Sequence, residues 1–426
     1  MSVVATRLSS VGTYLPPWKP LGREDSRRVR GPDEDALTMA VAAGRAADPG
    51  QAARRVVFVS RDFPLLSGGN GAVLLAGLSL EAHVPVTEVL GAGPAVLDAI
   101  LGAAPGTLVI AADDSPEAAG GGAVLVGEEG DDGAALVPVA RQIRSLPVVV
   151  RHQDGAQYRY RDPRLQREVG TKSTLTRLAL PVASPVAAAA GVASRLLSPA
   201  LDVVGATVEP TESATGIIRA LAGAIHAGAD GLVLAMEQSC ATAAHLGCGP
   251  SRICRDEREG GELAAEQPGD GIEIPISLAA YSRAFEPKLR WQADVYVEAP
   301  GIDTAPQFPP RIRVGSDGKL AQRCRTVALP RTGTVYTHTT VRIQVPGLPG
   351  PYSLALIQLD GSSVRVLLKV TGVEAGLIRI GQSGSIVLRK IAVRAGVPDY
   401  GYAFLPETPS SGGERGRLDR SEGALL

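Results

Sequence analysis

The chain has few cysteines, few aromatic residues and no long apolar run. Only 4 of its 426 residues are cysteine, and Phe, Trp and Tyr together make up 4%. Four clustered thiols are too few for a disulfide framework, so we expect them to be reduced. No stretch approaches the roughly 20 apolar residues of a membrane span. The N-terminal MSVVATRLSS also lacks the basic and apolar regions of a secretory signal. These absences predict a cytoplasmic protein.

The chain also lacks an excess of positive or negative charge. The 43 Lys and Arg residues nearly balance 44 Asp and Glu residues, which gives a formal net charge of −1. This balance offers no electrostatic case for binding nucleic acid or an anionic membrane. Hydrophobic residues make up 45% of the chain, and it contains 50 glycines. That composition is typical of a globular protein with closely packed layers.

In residues 1–145, strand-like and helix-like segments alternate. RRVVFVSRD and GTLVIAADD are β-rich runs, whereas GPDEDALTMAVAAGRAA has apolar residues at helical spacing. VTEVLGAGPAVLDAI predicts a strand, a tight turn and a helix, and GGGAVLVGEEG with GAALVPVARQ predicts a hairpin. Strands that alternate with helices indicate a layered α/β domain.

The following residues, up to 245, repeat this pattern in a weaker form. LPVASPVAAAAGVASRLL and SATGIIRALAGAIHAG are predicted as helices, and ADGLVLAMEQ as a buried strand. The polar RHQDGAQYRYRDPRLQREVG is interpreted as a surface excursion whose Arg stems lie over tyrosines. We therefore predict that residues 1–245 form one domain of two related halves, the second shortened.

The C-terminal third has a different pattern. Residues 246–324 predict a linker with a polar loop and one helix, ISLAAYSRAFEPKLRWQADVY. Residues 325–406 contain alternating β runs separated by Gly, Pro and Asp turns, which predict a small antiparallel barrel of the OB-fold type. Residues 407–426 are predicted to be a disordered tail.

Both parts resemble known families. GPDEDALTMAVAAGRAA, VVFVSRDFPLLSGGNGAVLLAGLSL and GTLVIAADD with GGGAVLVGEE are similar to segments of β-ketoacyl-ACP synthase III and hydroxymethylglutaryl-CoA synthase, in the thiolase superfamily. TGTVYTHTTVR, PYSLALIQLDG, VTGVEAGLIRIGQSGSIVL and YGYAFLP resemble, in the same order, the OB-fold domains that accompany acyl-CoA thiolases. The resemblance implies a layered α-β-α-β-α body, a dimeric core and an acyl-CoA or acyl-carrier thioester as ligand, without a resident cofactor.

That superfamily needs a Cys nucleophile, activated at a helix N-terminus, to carry the acyl group as a thioester. The resemblance places it at Leu90, Gly91 or Ala92, just before Gly93, in the turn of VTEVLGAGPAVLDAI. None of these side chains can attack a thioester. We therefore interpret the turn as a nucleophile elbow that has lost its nucleophile.

Other cysteines offer weaker alternatives. Cys240 and His245 are candidates for a displaced Cys–His dyad, although a purely structural role for the Cys240 thiol is favoured. Cys240, Cys248 and Cys254 have the spacings C-x7-C and C-x5-C, without the paired C-x2-C of a compact zinc site. In the OB-fold relatives, the zinc-ribbon cysteines would lie near QFPPRIRVGSDGKLAQRC, where only Cys324 remains. No metal site is expected.

The remaining polar candidates are interpreted as structural. They are His83, His152, His226 and His338, the pair Asp113 and Asp114 at the end of a strand, and the glycine runs SGGNGA and AAGGGAV. The two aspartates are expected to cap a helix or form a turn. The glycine runs lack the context of a phosphate-binding loop.

Three functions remain open. The favoured one is a non-catalytic, pseudo-synthase subunit that scaffolds a catalytic thiolase-like or acyltransferase partner and shapes its acyl-thioester channel. The alternative is an acyl-CoA-dependent acyltransferase, condensing or aldolase-type enzyme with a displaced active site. The third is a ligand-binding or assembly protein. A homo- or hetero-oligomer is expected.

Overall fold

The computed structural model describes residues 5–22, 27–128, 130–160, 162–258, 261–263, 277–343, 350–394 and 396–407. Residues 408–426 of the predicted disordered tail and residues 264–276 of the predicted polar loop lie outside these ranges. Across the ranges described, none of the helices combines the length and the apolar character that crossing a membrane requires.

The secondary structure follows the alternation seen in the sequence. Up to residue 143 the elements are β1 (Thr6–Tyr14), β2 (Trp18–Lys19), α1 (Ala36–Ala47), β3 (Arg55–Ser60), α2 (Gly71–Leu78), β4 (Val86–Leu90), α3 (Gly93–Leu101), β5 (Thr107–Ser115), β6 (Ala118–Val126) and β7 (Ala134–Ile143). They are followed by β8 (Val149–Arg151), β9 (Gln157–Arg159), a π-helical segment (Leu165–Lys172), α4 (Ser173–Leu178), β10 (Val186–Ala190), α5 (Ser194–Leu197), β11 (Thr207–Glu209), α6 (Thr215–His226), β12 (Gly231–Glu237), β13 (Cys240–Gly247) and β14 (Arg252–Asp256). The last elements are β15 (Gly261–Glu262), α7 (Leu278–Arg290), β16 (Gln292–Tyr296), β17 (Cys324–Ala328), β18 (Thr332–Val341), β19 (Tyr352–Leu359), β20 (Arg365–Lys369), β21 (Ser383–Arg394) and β22 (Val397–Pro406).

One mixed sheet of 11 strands forms the body, which we define as this sheet and the helices α1 to α6 packed on it. Along the sheet the order is β4-β3-β5-β6-β1-β7-β13-β12-β10-β11, and β14 pairs with β1. β4, β3 and β5 are parallel, and β6 and β1 follow as antiparallel neighbours. β11, β10 and β12 are parallel, and β13 and β7 follow as antiparallel neighbours. The two halves of the sheet thus have the same succession of strand directions.

The sheet folds back on itself so that the body has five layers. Helices α3 and α6 share an apolar cluster with both halves, including Val109 of β5 and Val233 of β12, and therefore lie between the halves. Helices α1 and α2 cover the outer face of the first half. Helices α4 and α5 cover the outer face of the second half, through Leu178 and Leu197. This arrangement confirms the predicted α-β-α-β-α layering.

Glycine allows one of these layers to pack closely. At Gly121 of β6, an added Cβ would lie 2.3 Å from the Met39 carbonyl oxygen in α1. At Gly12 of β1, an added Cβ would lie 2.4 Å from both the Ala43 carbonyl oxygen and the Ala47 nitrogen. The backbone of α1 therefore rests directly on the strands, as the glycine content of the sequence suggested.

Four local expectations are wrong. The segment ISLAAYSRAFEPKLRWQADVY was predicted as one helix, but α7 ends at Arg290 and the last residues form strand β16. The segment LPVASPVAAAAGVASRLL was predicted as a helix, but its centre is strand β10, buried between two parallel neighbours. The runs predicted as a hairpin, β6 and β7, do not pair, because β1 lies between them. Residues 246–324 were predicted to be a linker, whereas β14, at Arg252–Asp256, pairs with β1 in the sheet of the body.

The C-terminal strands form a separate antiparallel sheet in the order β20-β19-β18-β21-β22. A bridge between Val370 and Phe404 joins the end of β20 to β22, which brings the two edges of this sheet together. Buried residues alternate with partly buried ones along β19 and mainly with exposed ones along β20, as in a small barrel with one apolar interior. The predicted antiparallel arrangement is confirmed.

Candidate functional site

The elbow predicted from VTEVLGAGPAVLDAI is a strand followed by a helix, with Gly91 and Ala92 as the turn. The Gly91 N–H donates to the Ser60 carbonyl oxygen at 3.3 Å, which holds the turn against the end of β3. A side chain at Gly91 would clash with Ala95, because an added Cβ would lie 2.5 Å from the Ala95 Cβ. Leu90 is 73% exposed, whereas Ala92 is fully buried at the N-cap of α3.

A carboxylate from the other half occupies the N-terminus of this helix. Glu237, the last residue of β12, accepts a hydrogen bond from the Ala92 N–H at 3.1 Å. Its other oxygen lies 3.4 Å from Nη1 of Arg61, and Nη2 of Arg61 donates to the Glu212 carbonyl oxygen at 2.7 Å. Burial raises the pKa of Glu237, while Arg61 and the Ala92 N–H act in the opposite direction. The positive end of α3 is thus already neutralised by the protein itself.

The first half caps α6 in the same way. Asp113 of β5 is 1% exposed and accepts from the Ala214 N–H at 2.9 Å and the Thr215 N–H at 2.8 Å. The Thr215 hydroxyl also donates to it at 2.7 Å. Burial raises the pKa of Asp113, and these three donors lower it. The expectation that Asp113 caps a helix is confirmed.

Glu237 and Asp113 stand at equivalent places in the two halves. The strand ends read GTLVIAADDS and DGLVLAMEQS, and Asp113 and Glu237 fall at the same position when these are aligned. Each half supplies a carboxylate that caps a central helix of the other half. Neither Glu237 nor Arg61 was predicted from the sequence as a site residue, although the repeated strand ending would have indicated Glu237.

A second polar group lies beside this pair of caps. The carboxylate of Asp114, next to Asp113, lies 2.7 Å from Nε of Arg30, and the Asp114 N–H donates to Asp62 at 2.9 Å. Burial raises the pKa of Asp114 to about 6, with Asp35 and Asp62 adding to the rise and Arg30 opposing it. The structure therefore places a carboxyl group that titrates near neutral pH at the end of β5.

Cys240 and His245 are not brought together. Both lie on β13, five residues apart, so their side chains point to opposite faces and their backbones are separated by roughly 17 Å. The Cys240 thiol lies 3.9 Å from the Arg144 carbonyl oxygen. Nε2 of His245 lies 3.5 Å from Asp230. The two residues cannot act as a direct Cys–His dyad.

The other cysteines and histidines lie apart from the elbow. Cys248, Cys254 and Cys324 are exposed, and all four cysteines are free. Cys324 is the first residue of β17 and pairs with Tyr296 of β16. Burial raises the pKa of the Cys324 thiol, and the nearby carboxylate of Asp294 raises it further. No group of three or more His, Cys, Asp or Glu side chains gathers as a metal-binding cluster in the part of the chain that the structure describes. His83, His152 and His226 are exposed, and His338 lies on β18.

Comparisons with known proteins return matches for both parts of the chain. A family model described as the ChsH2 C-terminal OB-fold domain matches residues 326–388. Among solved structures, 3-oxoacyl-(acyl-carrier-protein) synthase III from Aquifex aeolicus VF5 is 17% identical, covers 57% of this chain and 99% of its own, and has a TM-score of 0.44. PksG, a HMG-CoA synthase from Bacillus subtilis, is 16% identical, covers 58% of this chain and 80% of its own, and has a TM-score of 0.44.

A third structure, the Ltp2-ChsH2(DUF35) aldolase, is 18% identical, covers 32% of this chain and 98% of its own, and has a TM-score of 0.24. No curated protein sequence matches the chain. The predicted OB-fold is confirmed by the family model, and we call β18 to β22 the OB domain. The chain thus joins a layered α/β body and an OB domain in one polypeptide.

Proposed function

We propose that this chain is a non-catalytic, synthase-like subunit of an acyl-CoA thiolase or acyltransferase-type complex. In this role it scaffolds a catalytic partner and shapes the channel for an acyl thioester. The observation that carries the proposal is the Glu237 carboxylate at the N-terminus of α3, where the Ala92 N–H donates to it at 3.1 Å.

Acyl transfer through a covalent thioester needs two features at such an elbow. One is a thiolate stabilised by the helix N-terminus, and the other is a set of free donors for the oxyanion of the tetrahedral intermediate. Ala92 supplies no nucleophile, and its N–H is already bound by Glu237. A negative carboxylate at this place also repels a developing oxyanion. Both features therefore favour a structural role for this elbow.

The OB domain supports the proposed assembly. Its family model is that of ChsH2, and ChsH2 stands beside Ltp2 in the name of an aldolase structure. We extend this arrangement to the present chain as part of the proposal: the OB domain accompanies a thiolase-like partner. The identity of that partner is left to experiment.

The test uses the purified full chain with acetyl-CoA and acetoacetyl-CoA as probes. We expect no covalent acyl adduct by intact-mass spectrometry, and no release of CoA above a protein-free blank. The variant Cys240→Ala should behave like the wild type, since Cys240 has no base beside it. Cys254→Ala is a matched control, because Cys254 is an exposed thiol on β14.

An acyl adduct on Cys240, or CoA release that falls at least tenfold in Cys240→Ala but not in Cys254→Ala, would replace the proposal by the enzyme with a displaced active site. CoA release that neither substitution affects would indicate an enzyme without an acyl-cysteine intermediate. Either result would contradict the non-catalytic role.

A further inference from the structure

The OB domain meets the body through side chains that are charged and fully buried. Arg389 of β21 is 2% exposed, Glu34 before α1 is 1% exposed, and Tyr14 at the end of β1 is 3% exposed. Arg and Glu are rarely buried to this degree unless they are paired. The junction between the two parts therefore contains an ionic group without access to water.

These three side chains contact one another. Nη2 of Arg389 donates to the Tyr14 hydroxyl at 3.1 Å and lies 3.3 Å from Oε1 of Glu34. The Tyr14 hydroxyl donates to the same Glu34 oxygen, and the Gly31 N–H donates to the other one at 2.6 Å. Burial raises the pKa of Glu34, and the charge of Arg389 opposes that rise. The carboxylate is anchored in the body and the guanidinium in the OB domain.

The neighbours of Glu34 form further contacts across the junction. The Tyr400 hydroxyl donates to Asp35 at 2.7 Å, and the Lys390 N–H donates to the Asp33 carbonyl oxygen at 2.9 Å. Asp33, Glu34 and Asp35 are consecutive residues, and each of them contacts β21 or β22 of the OB domain. Asp35 is also the N-cap of α1, where it accepts from the Thr38 N–H at 2.9 Å.

An apolar core continues across the same junction. Leu388, Tyr402 and Phe404 of the OB domain belong to one cluster with Met39 of α1 and Leu74 of α2. Apolar contacts are non-directional, so they hold the two surfaces together without fixing the orientation of one surface relative to the other. A buried ion pair acts differently, because sliding or rotation would leave a charge unpaired in a dry environment, which is strongly unfavourable.

We propose that Arg389, Glu34 and Tyr14 form a buried latch that fixes the OB domain in one orientation on the body. These are positioning residues, and they make the body and the OB domain one rigid unit. The proposal goes beyond the function proposed above, since it holds equally for a catalytic and a non-catalytic body. A partner then meets the two parts as a preformed surface.

The Lys390 amide is a direct reporter of the junction, because its hydrogen bond crosses to Asp33. We would measure amide exchange of the β21 peptide that contains Lys390 in the wild type, in Arg389→Met and in Tyr14→Phe. Arg389→Met removes the charge at similar length, and Tyr14→Phe removes only a hydroxyl. The matched control is Arg394→Met on the same strand, whose side chain is 43% exposed and pairs with Asp399.

We expect exchange at Lys390 to accelerate about tenfold or more in Arg389→Met and severalfold in Tyr14→Phe, because local opening becomes more favourable. Exchange in β10 and β12, at the far side of the body, should not change. Arg394→Met should leave Lys390 at the wild-type rate. If Arg389→Met does not fold, Tyr14→Phe decides the outcome alone.

Three results would overturn the proposal. The first is an unchanged Lys390 exchange rate in a folded Arg389→Met, or in Tyr14→Phe if Arg389→Met does not fold. The second is an acceleration in Arg394→Met equal to that in Arg389→Met, which would mean that any change on β21 loosens the junction. The third is faster exchange spread evenly over the body, which would show general destabilisation and not the loss of a latch.

Discussion

Glu237 connects the two halves of the body at the elbow, because its carboxylate contacts both the Ala92 N–H and Arg61. Replacing Glu237 by Ala leaves the Ala92 N–H without its acceptor and removes the carboxylate that pairs with Arg61, which keeps its hydrogen bond to the Glu212 carbonyl oxygen. We expect Glu237→Ala to lower the free energy of unfolding by about 2 kcal/mol, since unsatisfied buried donors cost about 1–3 kcal/mol. Glu237→Gln keeps an acceptor oxygen and should cost about half as much. Urea unfolding measures both.

Glu209→Ala is the control for that measurement. Glu209 pairs with Arg219 at 3.0 Å near the N-terminal end of the second central helix, with side chains 28% and 32% exposed. Such a pair contributes less than about 1 kcal/mol. Equal losses in Glu237→Ala and Glu209→Ala would contradict a special role for the Glu237 cap.

Asp114 makes stability depend on pH in a defined direction. Its pKa in the folded protein is about 6, against about 3.9 in an unfolded chain. Between these values the folded state binds a proton that the unfolded state has lost, so stability falls as the pH rises from about 4 to 6. Because the side chain is partly exposed and solvent screens its charge, we expect the resulting loss of stability at pH 7 to be about 1–2 kcal/mol. Asp114→Asn should therefore be more stable than the wild type at pH 7 and equal to it near pH 4.

Unfolding midpoints in denaturant at the two pH values test this. Asp162→Asn provides a contrast, because hydrogen bonds to Arg164 lower the pKa of this exposed carboxylate. It should give no stabilisation at pH 7. If Asp114→Asn shows the same difference from the wild type at both pH values, Asp114 does not titrate in this range.

At the scale of elements, the strand β10 shows how context overrides a local pattern. Its residues Val186–Ala190 are all buried, with parallel partners on both sides. A strand covered on both faces reads as a continuous apolar run, and an Ala-rich run of this kind has the composition of a helix. The sequence window holds no information about the neighbours that make it a strand.

The packing of α1 on β6 provides a prediction at this scale. An added Cβ at Gly121 would lie 2.3 Å from the Met39 carbonyl oxygen. Since this contact is with backbone, we expect Gly121→Ala to lower the free energy of unfolding by about 1–3 kcal/mol or more. Gly50→Ala is the control, because nothing lies within 4 Å of an added Cβ there. A Gly121→Ala variant as stable as Gly50→Ala would contradict the close layer packing.

The two central helices also show what the turn before α3 does in the fold. Each is capped by a carboxylate from the opposite half, Glu237 for α3 and Asp113 for α6. The turn at Gly91 and Ala92 brings the α3 N-terminus within reach of β12. It therefore joins the two halves of the body.

For the whole molecule, we predict that the purified chain carries substoichiometric zinc. Cys324 stands alone in the segment before the OB domain, and four-coordinate structural zinc needs several Cys or His ligands. Elemental analysis of protein purified without chelator measures this. About one zinc per chain, retained after dialysis, would contradict the prediction, and loss of that zinc in Cys324→Ala would place the site.

The contact between the body and the OB domain also depends on the fold of the whole chain. Arg389 and Glu34 are separated by 355 positions in the chain, yet Nη2 and Oε1 lie 3.3 Å apart. Arg389 lies in an alternating strand pattern and Glu34 in an acidic helix start, and neither pattern marks an ion pair. The latch exists only because the OB domain folds back onto α1.

The sequence by itself determined the broad architecture. Alternating strand and helix signals determined the α/β body, turn-separated β runs determined the antiparallel OB domain, and the residue types at Leu90, Gly91, Ala92 and Gly93 left the elbow without a nucleophile. Such features follow from local periodicity and side-chain chemistry, which a single sequence carries. Only the tertiary structure decided that Glu237 caps α3, that Cys240 and His245 lie on opposite faces of β13, and that Arg389 meets Glu34. These depend on contacts between residues distant in the chain, which no local pattern records.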